Sequence, residues 1–198
     1  MKKLFTLAVT IILILTLCSC TASILYNDDA YVDGLYISIN KTANRCFVGG
    51  YTPTNNNDSR IINIPDEYNG VPVKQLGGYF GRGVPSPFSI SLSDYINSSP
   101  ESEYGGVFTG DPAEYAIDVD YTVENVVFVL SIGKNISSIE YVMMDEYYPY
   151  TNEDGSIIFY HPVVTVNCSD ENKHFYSKDG KLYNKKTDEL IEDFSYGE

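Results

Sequence analysis

The run Ile61-Ile62-Asn63-Ile64-Pro65, followed by Tyr68-Asn69-Gly70-Val71-Pro72-Val73 and then Leu76, decides how the chain folds. Ile62 and Ile64 read as a short strand with one buried face, and Pro65 closes it because proline has no N–H to give to a ladder. Asn69-Gly70 is a turn pair, since both residues tolerate positive φ, and Val71, Val73 and Leu76 resume the apolar alternation. Similar short units return twice: at Val127 and Val129, running on through Ile132, Gly133, Ile136 and Ile139, and at Val164 and Val166, running into Asn167 and Asp170. Each offers one small apolar face that cannot form a core alone, so stacking is the way to bury it. The expectation is that residues 62, 64, 127, 129, 164 and 166 face a common interior as neighbouring rungs.

Outward from that stretch, Tyr31 to Val48 alternates with period two. Leu35, Ile37 and Ile39 share one face and Tyr36, Ser38 and Asn40 the other; Lys41 to Asn44 makes a turn before Cys46 and Val48, so the segment reads as an N-terminal β-hairpin. Helical periodicity is nearly absent, and only Tyr141 to Glu146 and Leu190 to Phe194 offer a turn or two. The fold class expected is mainly β with little helix.

The stretch from Ile61 to Val73, continued by Leu76, Gly77, Tyr79 and Phe80, resembles the opening of BspA-type leucine-rich repeat proteins. The closing stretch is similar to their terminal repeat: Val164-Thr165-Val166, Asn172, Phe175 to Asp179, Gly180-Lys181-Leu182-Tyr183-Asn184 and Leu190-Ile191. The resemblance implies a short leucine-rich-repeat-like stack of about three units, preceded by the hairpin. Leucine-rich repeats recur every 20–29 residues; the wider spacing here places insertions at about 81–122 and 145–161. It also implies a surface protein of host-associated bacteria, some of which are adhesins.

Lys2 and Lys3 precede an apolar run from Leu4 to Leu17, which is shorter than the roughly 20 residues of a membrane-spanning helix and reads as an export signal. Its end, Leu17-Cys18-Ser19-Cys20, resembles the lipobox of bacterial lipoproteins, with small Ser19 directly before Cys20. The resemblance implies cleavage after residue 19, lipid on Cys20, and a place on the outer side of a bacterial membrane. Residues 1–19 are then the signal, 20–30 a linker, and 31–198 one domain. Lipid chains hold such a protein because each buried methylene contributes about 0.8 kcal/mol.

The 198 residues carry a formal charge of −14, and loss of residues 1–19 removes two Lys and no acid. Nucleic acid is thereby unlikely to be a partner, because a phosphate-binding face needs clustered Lys and Arg. No cofactor or metal is implied: Gly-rich phosphate loops, zinc-type Cys and His spacing and EF-hand spacing are missing. No catalytic residue is assigned either. Only His161 and His174 are present, and neither a Gly-x-Ser-x-Gly elbow nor a His-Glu-x-x-His pair occurs. For Cys46 and Cys168 two readings stay open, a disulfide or two buried free thiols.

Tyrosine is the compositional anomaly, with 18 copies and no Trp. It supplies rigid amphipathic area to exposed sheet faces and to binding surfaces alike. The candidate contacts are Tyr147, Tyr148 and Tyr150 in the second insertion and Tyr104 and Tyr115 in the first. The function expected is a lipid-anchored surface binding module taking a protein or glycan, with an envelope scaffold as the alternative and a carbohydrate-active enzyme behind both.

Overall fold

The computed structural model describes residues 28–53, 60–80, 84–92, 108–109, 111–116, 119–142, 144 and 146–197. The export signal, Cys20, Tyr104 and most of the first insertion lie outside the described residues. The chain is mainly β, as the alternation implies. Its strands are β1 (Asp28–Val32), β2 (Leu35–Asn40), β3 (Arg45–Tyr51), β4 (Ile61–Asn63), β5 (Glu67–Tyr68), β6 (Val71–Leu76), β7 (Gly78–Phe80), β8 (Val84–Ser86), β9 (Ser89–Ile90), β10 (Phe108–Thr109), β11 (Tyr121–Ile132), β12 (Ser138–Ile139), β13 (Glu146–Thr151), β14 (Ile157–Cys168), β15 (Phe175–Lys178) and β16 (Lys181–Asn184). Among the described residues there is one short helix, α1 (Pro112–Tyr115), capped by the Asp111 side chain accepting from the Ala113 N–H, with Pro112 in its first turn.

Two sheets enclose the core. The first has the order β1-β2-β3-β6-β12, with β5 on β6 and β9 on β3 at its margins; the second has the order β10-β13-β14-β11-β4. Strands β4, β11 and β14 run parallel side by side, Leu130 lying opposite Ile62 on one flank and Val166 on the other. Those three side chains are buried against Ile37, Val48 and Leu76 of the first sheet. Burying a side chain of this kind contributes about 1.5–3 kcal/mol, so such rows are where the fold gains most of its stability.

The phase of the middle rung differs from the sequence expectation. Val126, Phe128, Leu130 and Ile132 point into the core, whereas Val127 is 38% exposed and Val129 half-buried. Positions 126 to 130 are all apolar, so alternation alone cannot choose the inward face; the register against Ile62 and Val166 chooses it. The expected second insertion is also corrected. Residues 146–151 and 157–161 are β13 and the first half of β14, paired antiparallel with Tyr148 opposite Tyr160. The helical turns expected near 141 and 190 are isolated bridges at Val142 and Leu190, and β1 begins at Asp28, inside the stretch read as a linker.

Two side-chain amides, half-buried Asn135 and buried Asn172, link neighbouring segments. Asn135 Nδ2 donates to Asp66 O, and one rung later Asn172 Nδ2 donates to Gly133 O and Ile136 O while its Oδ1 accepts from the His174 and Phe175 N–H groups. A Cβ at Gly133 would lie 2.6 Å from Asp66 Oδ1 and 3.1 Å from Ile64 O, so a larger residue there would displace the Asp66 side chain.

Candidate binding site

Tyr147, Tyr148 and Tyr150 all lie on β13, and the sheet uses them in different ways. Tyr148 is 3% exposed and its ring belongs to the core; its hydroxyl lies 2.8 Å from Glu146 Oε2 and 3.2 Å from Ile90 O. Tyr147 is half-buried and stacks on His161 at 4.5 Å, with Phe159 edge-on at 6.4 Å. Tyr150 is partly buried against the core. Of the other two candidates, Tyr115 ends α1 and Tyr104 lies outside the described residues; Tyr148 and Tyr150 share the core side of β13 and Tyr147 stands on the other, so the three β13 tyrosines form no common surface.

That group has a definite electrostatic character. Burial raises the Glu146 carboxyl above the usual carboxylate range, and the Tyr148 hydroxyl only partly offsets this; no second carboxylate contributes. His161 Nδ1 lies 3.1 Å from Glu146 O, and since a carbonyl can only accept, Nδ1 carries the proton. Among the described residues no three His, Cys, Asp or Glu side chains converge in a way that would hold a metal ion. Cys46 and Cys168 are separate free thiols rather than a disulfide: Cys46 is buried in β3 with its sulfur 3.6 Å from Val71 O, and Cys168 ends β14 in the other sheet. Burial raises both thiols, Cys168 to about 11.

A more accessible aromatic site lies on the outer face of the N-terminal strands. The two-residue turn Asp33-Gly34, with φ of 50° and 83°, sets β1 against β2 so that Tyr31 lies directly opposite Tyr36. Because Leu35 and Ile37 point inward, both tyrosines face out; Tyr31 is 73% exposed, and the ring centroids are 5.2 Å apart at an interplanar angle of 49°. Beyond Tyr36, the register between β2 and β3 shifts. Tyr36 pairs with Gly50 and Ile37 with Val48, which leaves Gly49 as an unpaired bulge. Two glycines in succession present backbone where side chains would stand. A groove of about 520 Å³ results, floored by Gly49 and Gly50, walled by Tyr31 and Tyr36 and edged by Thr52 and Ser89. Partial burial, together with a hydrogen bond to Asp29, raises the Tyr36 hydroxyl to about 12, so its ring is neutral and held in place.

Alternation in the hairpin sets Tyr36 on the face opposite Leu35, Ile37 and Ile39. The signal for this groove was the combination of tyrosines flanking Asp33-Gly34 with Gly49-Gly50 one strand away. No helix among the described residues is long and apolar enough to cross a membrane. Set beside family models, curated proteins and solved structures, the chain finds no match.

Proposed function

We propose that this chain is a binding module held on the outer side of a bacterial membrane by lipid on Cys20, and that it captures a glycan in the Tyr31–Tyr36 groove. Its framework is read as a short stack related to BspA-type leucine-rich repeats. The parallel neighbours β4, β11 and β14 support that reading, since repeat stacks lay successive strands side by side. The observation carrying the function is the exposed ring of Tyr31 beside a fixed Tyr36, above a side-chain-free floor. Flat aromatic faces take the C–H faces of sugar rings, while backbone and hydroxyl groups such as those of Thr52 and Ser89 take their hydroxyls. The test is capture of neutral glycans on an array by the wild-type chain and by Tyr31→Ala and Tyr31→Phe. Removing one ring-stacking contact of about 1 kcal/mol weakens capture about fivefold, whereas Phe keeps it. An array that captures nothing, or equal capture by the Ala variant, rejects the groove.

A second reading, an envelope assembly protein, is favoured by one feature. On the solvent face of the second sheet Ile61, Tyr121, Val123 and Val127 are each 38–52% exposed. Contiguous apolar surface of this kind marks protein contacts. If an envelope protein is pulled down by the wild-type chain and lost with Val123→Lys and Val127→Lys, the assembly reading displaces the glycan one.

A further inference from the structure

The two sheets end differently at the N-terminal side of the stack. Among the described residues β4 is the last strand of the second sheet, whereas the first continues past β6 through β3, β2 and β1. At this step lies a hollow of about 420 Å³, within the range of ligand sites. Its accessible apolar wall is Val32 of β1, Ile61 and Pro65 on the side of β4 and the half-buried Tyr68 of β5, over the buried Leu35 and Ile37. Two exposed carboxylates, Asp33 in the β1–β2 turn and Glu67 on β5, complete the lining, which holds no Lys or Arg among the described residues.

An apolar wall bordered by unopposed acids, on a chain of net charge −14, selects an occupant that is apolar at one point and cationic beside it. An anionic ligand is repelled. We propose that the hollow is a second binding site, separate from the glycan groove on the other face of the first sheet, and that it takes an extended peptide segment in which an apolar residue adjoins Lys or Arg. The apolar side chain packs on Ile61, Val32 and Pro65, and the cation reaches Asp33 or Glu67. Tyr51 forms part of the wall of both sites but is itself buried, so the two open in different directions.

The experiment titrates the chain with the peptide acetyl-Leu-Lys-Leu-Lys-Leu-Lys-amide and follows backbone amide resonances. Perturbation is expected to centre on residues 32–37 and 61–68, and the counterpart with Glu in place of Lys does not bind. Asp33→Asn with Glu67→Gln weakens binding about fivefold, corresponding to two exposed charge contacts of about 0.5 kcal/mol each. Asn tolerates the positive φ at position 33 and leaves the turn intact. Asn63→Phe, at an exposed lining position, obstructs the hollow and abolishes binding, while Tyr31→Ala leaves it unchanged. Equal binding of the Lys and Glu peptides, perturbation centred elsewhere, or full affinity in both the charge variant and Asn63→Phe overturns the proposal.

Discussion

The two ends of the parallel row β4, β11 and β14 meet the same problem with opposite results. At the C-terminal end, the side of β14 turned away from β11 is covered step by step. β13 pairs with residues 157–160, then the Val164 N–H donates to Ser195 O, Val166 N–H to Gly180 O and Cys168 N–H to Ser177 Oγ. Pro162 falls where β13 has left and residue 195 has not arrived, a place on this edge that asks for no N–H donor. At the N-terminal end the second sheet stops, among the described residues, at β4 while the first runs on; the candidate groove is built there from β1, β2 and β3, and the hollow from β1 and β2 together with β4 and β5. Sheet edges left without backbone cover invite other chains. The molecule seals one end with its own chain, and both proposed binding surfaces lie at the other.

The strongest way to break this comparison is to weaken the shared core on which both ends rest. Leu130→Ala, at a fully buried position in the middle rung, is expected to cost about 4 kcal/mol in denaturant unfolding, whereas Val127→Ala, one residue away on the outer face, costs under about 1 kcal/mol. Similar costs for the two would mean the rung faces the other way. Next comes the stitching of the closed end. Asn172→Ala strands four buried backbone partners and is expected to cost about 3 kcal/mol, against about 1 kcal/mol for Asn135→Ala, which loses one half-buried bond.

Two smaller effects sharpen the picture of the interior. With both thiols raised by burial, Cys46 and Cys168 should react slowly with a maleimide at pH 8 in the folded chain and rapidly once it is unfolded. Prompt labelling of the native chain would place them at the surface. The smallest change is Glu146→Gln. A carboxyl whose pKa is raised by folding binds its proton more tightly in the native state, so stability is lost as pH rises through the raised value and is recovered below it. The Gln variant should therefore melt higher than wild type at pH 7, with the advantage shrinking as pH falls through the raised pKa; an advantage that grows on acidification contradicts the burial of Glu146.

Much of the platform was legible from residues. The alternation of Leu35, Ile37 and Ile39, the Asn69-Gly70 turn and the inward Ile62, Ile64, Val164 and Val166 all stand where period-two reading puts them. The phase of β11 was not legible, since an unbroken apolar run carries no alternation. β13 was missed for a related reason: Tyr147-Tyr148-Pro149-Tyr150 and Ile157 to Pro162 alternate in no visible way, and prolines 149 and 162 argue against strands until their edge positions are known. The groove was half legible. Alternation separates Tyr36 from Leu35 and Ile37, but the bulge at Gly49 depends on a register that only pairing partners define, and the buried state of Tyr148 depends on Ile90 of β9, whose carbonyl lies against its hydroxyl.

Cross-strand disulfides test the parallel rungs most directly. Asn63, Ser131 and Asn167 occupy matching positions on β4, β11 and β14, on the face opposite the core. Neighbouring strands lie about 4.8 Å apart, within reach of a disulfide, and two strands apart they do not. Peptide mapping after mild oxidation should find the bridge in Asn63→Cys/Ser131→Cys and in Ser131→Cys/Asn167→Cys, and none in Asn63→Cys/Asn167→Cys. A bridge between 63 and 167, or failure of the 63–131 pair in a folded chain, would contradict the order of rungs on which both binding surfaces depend.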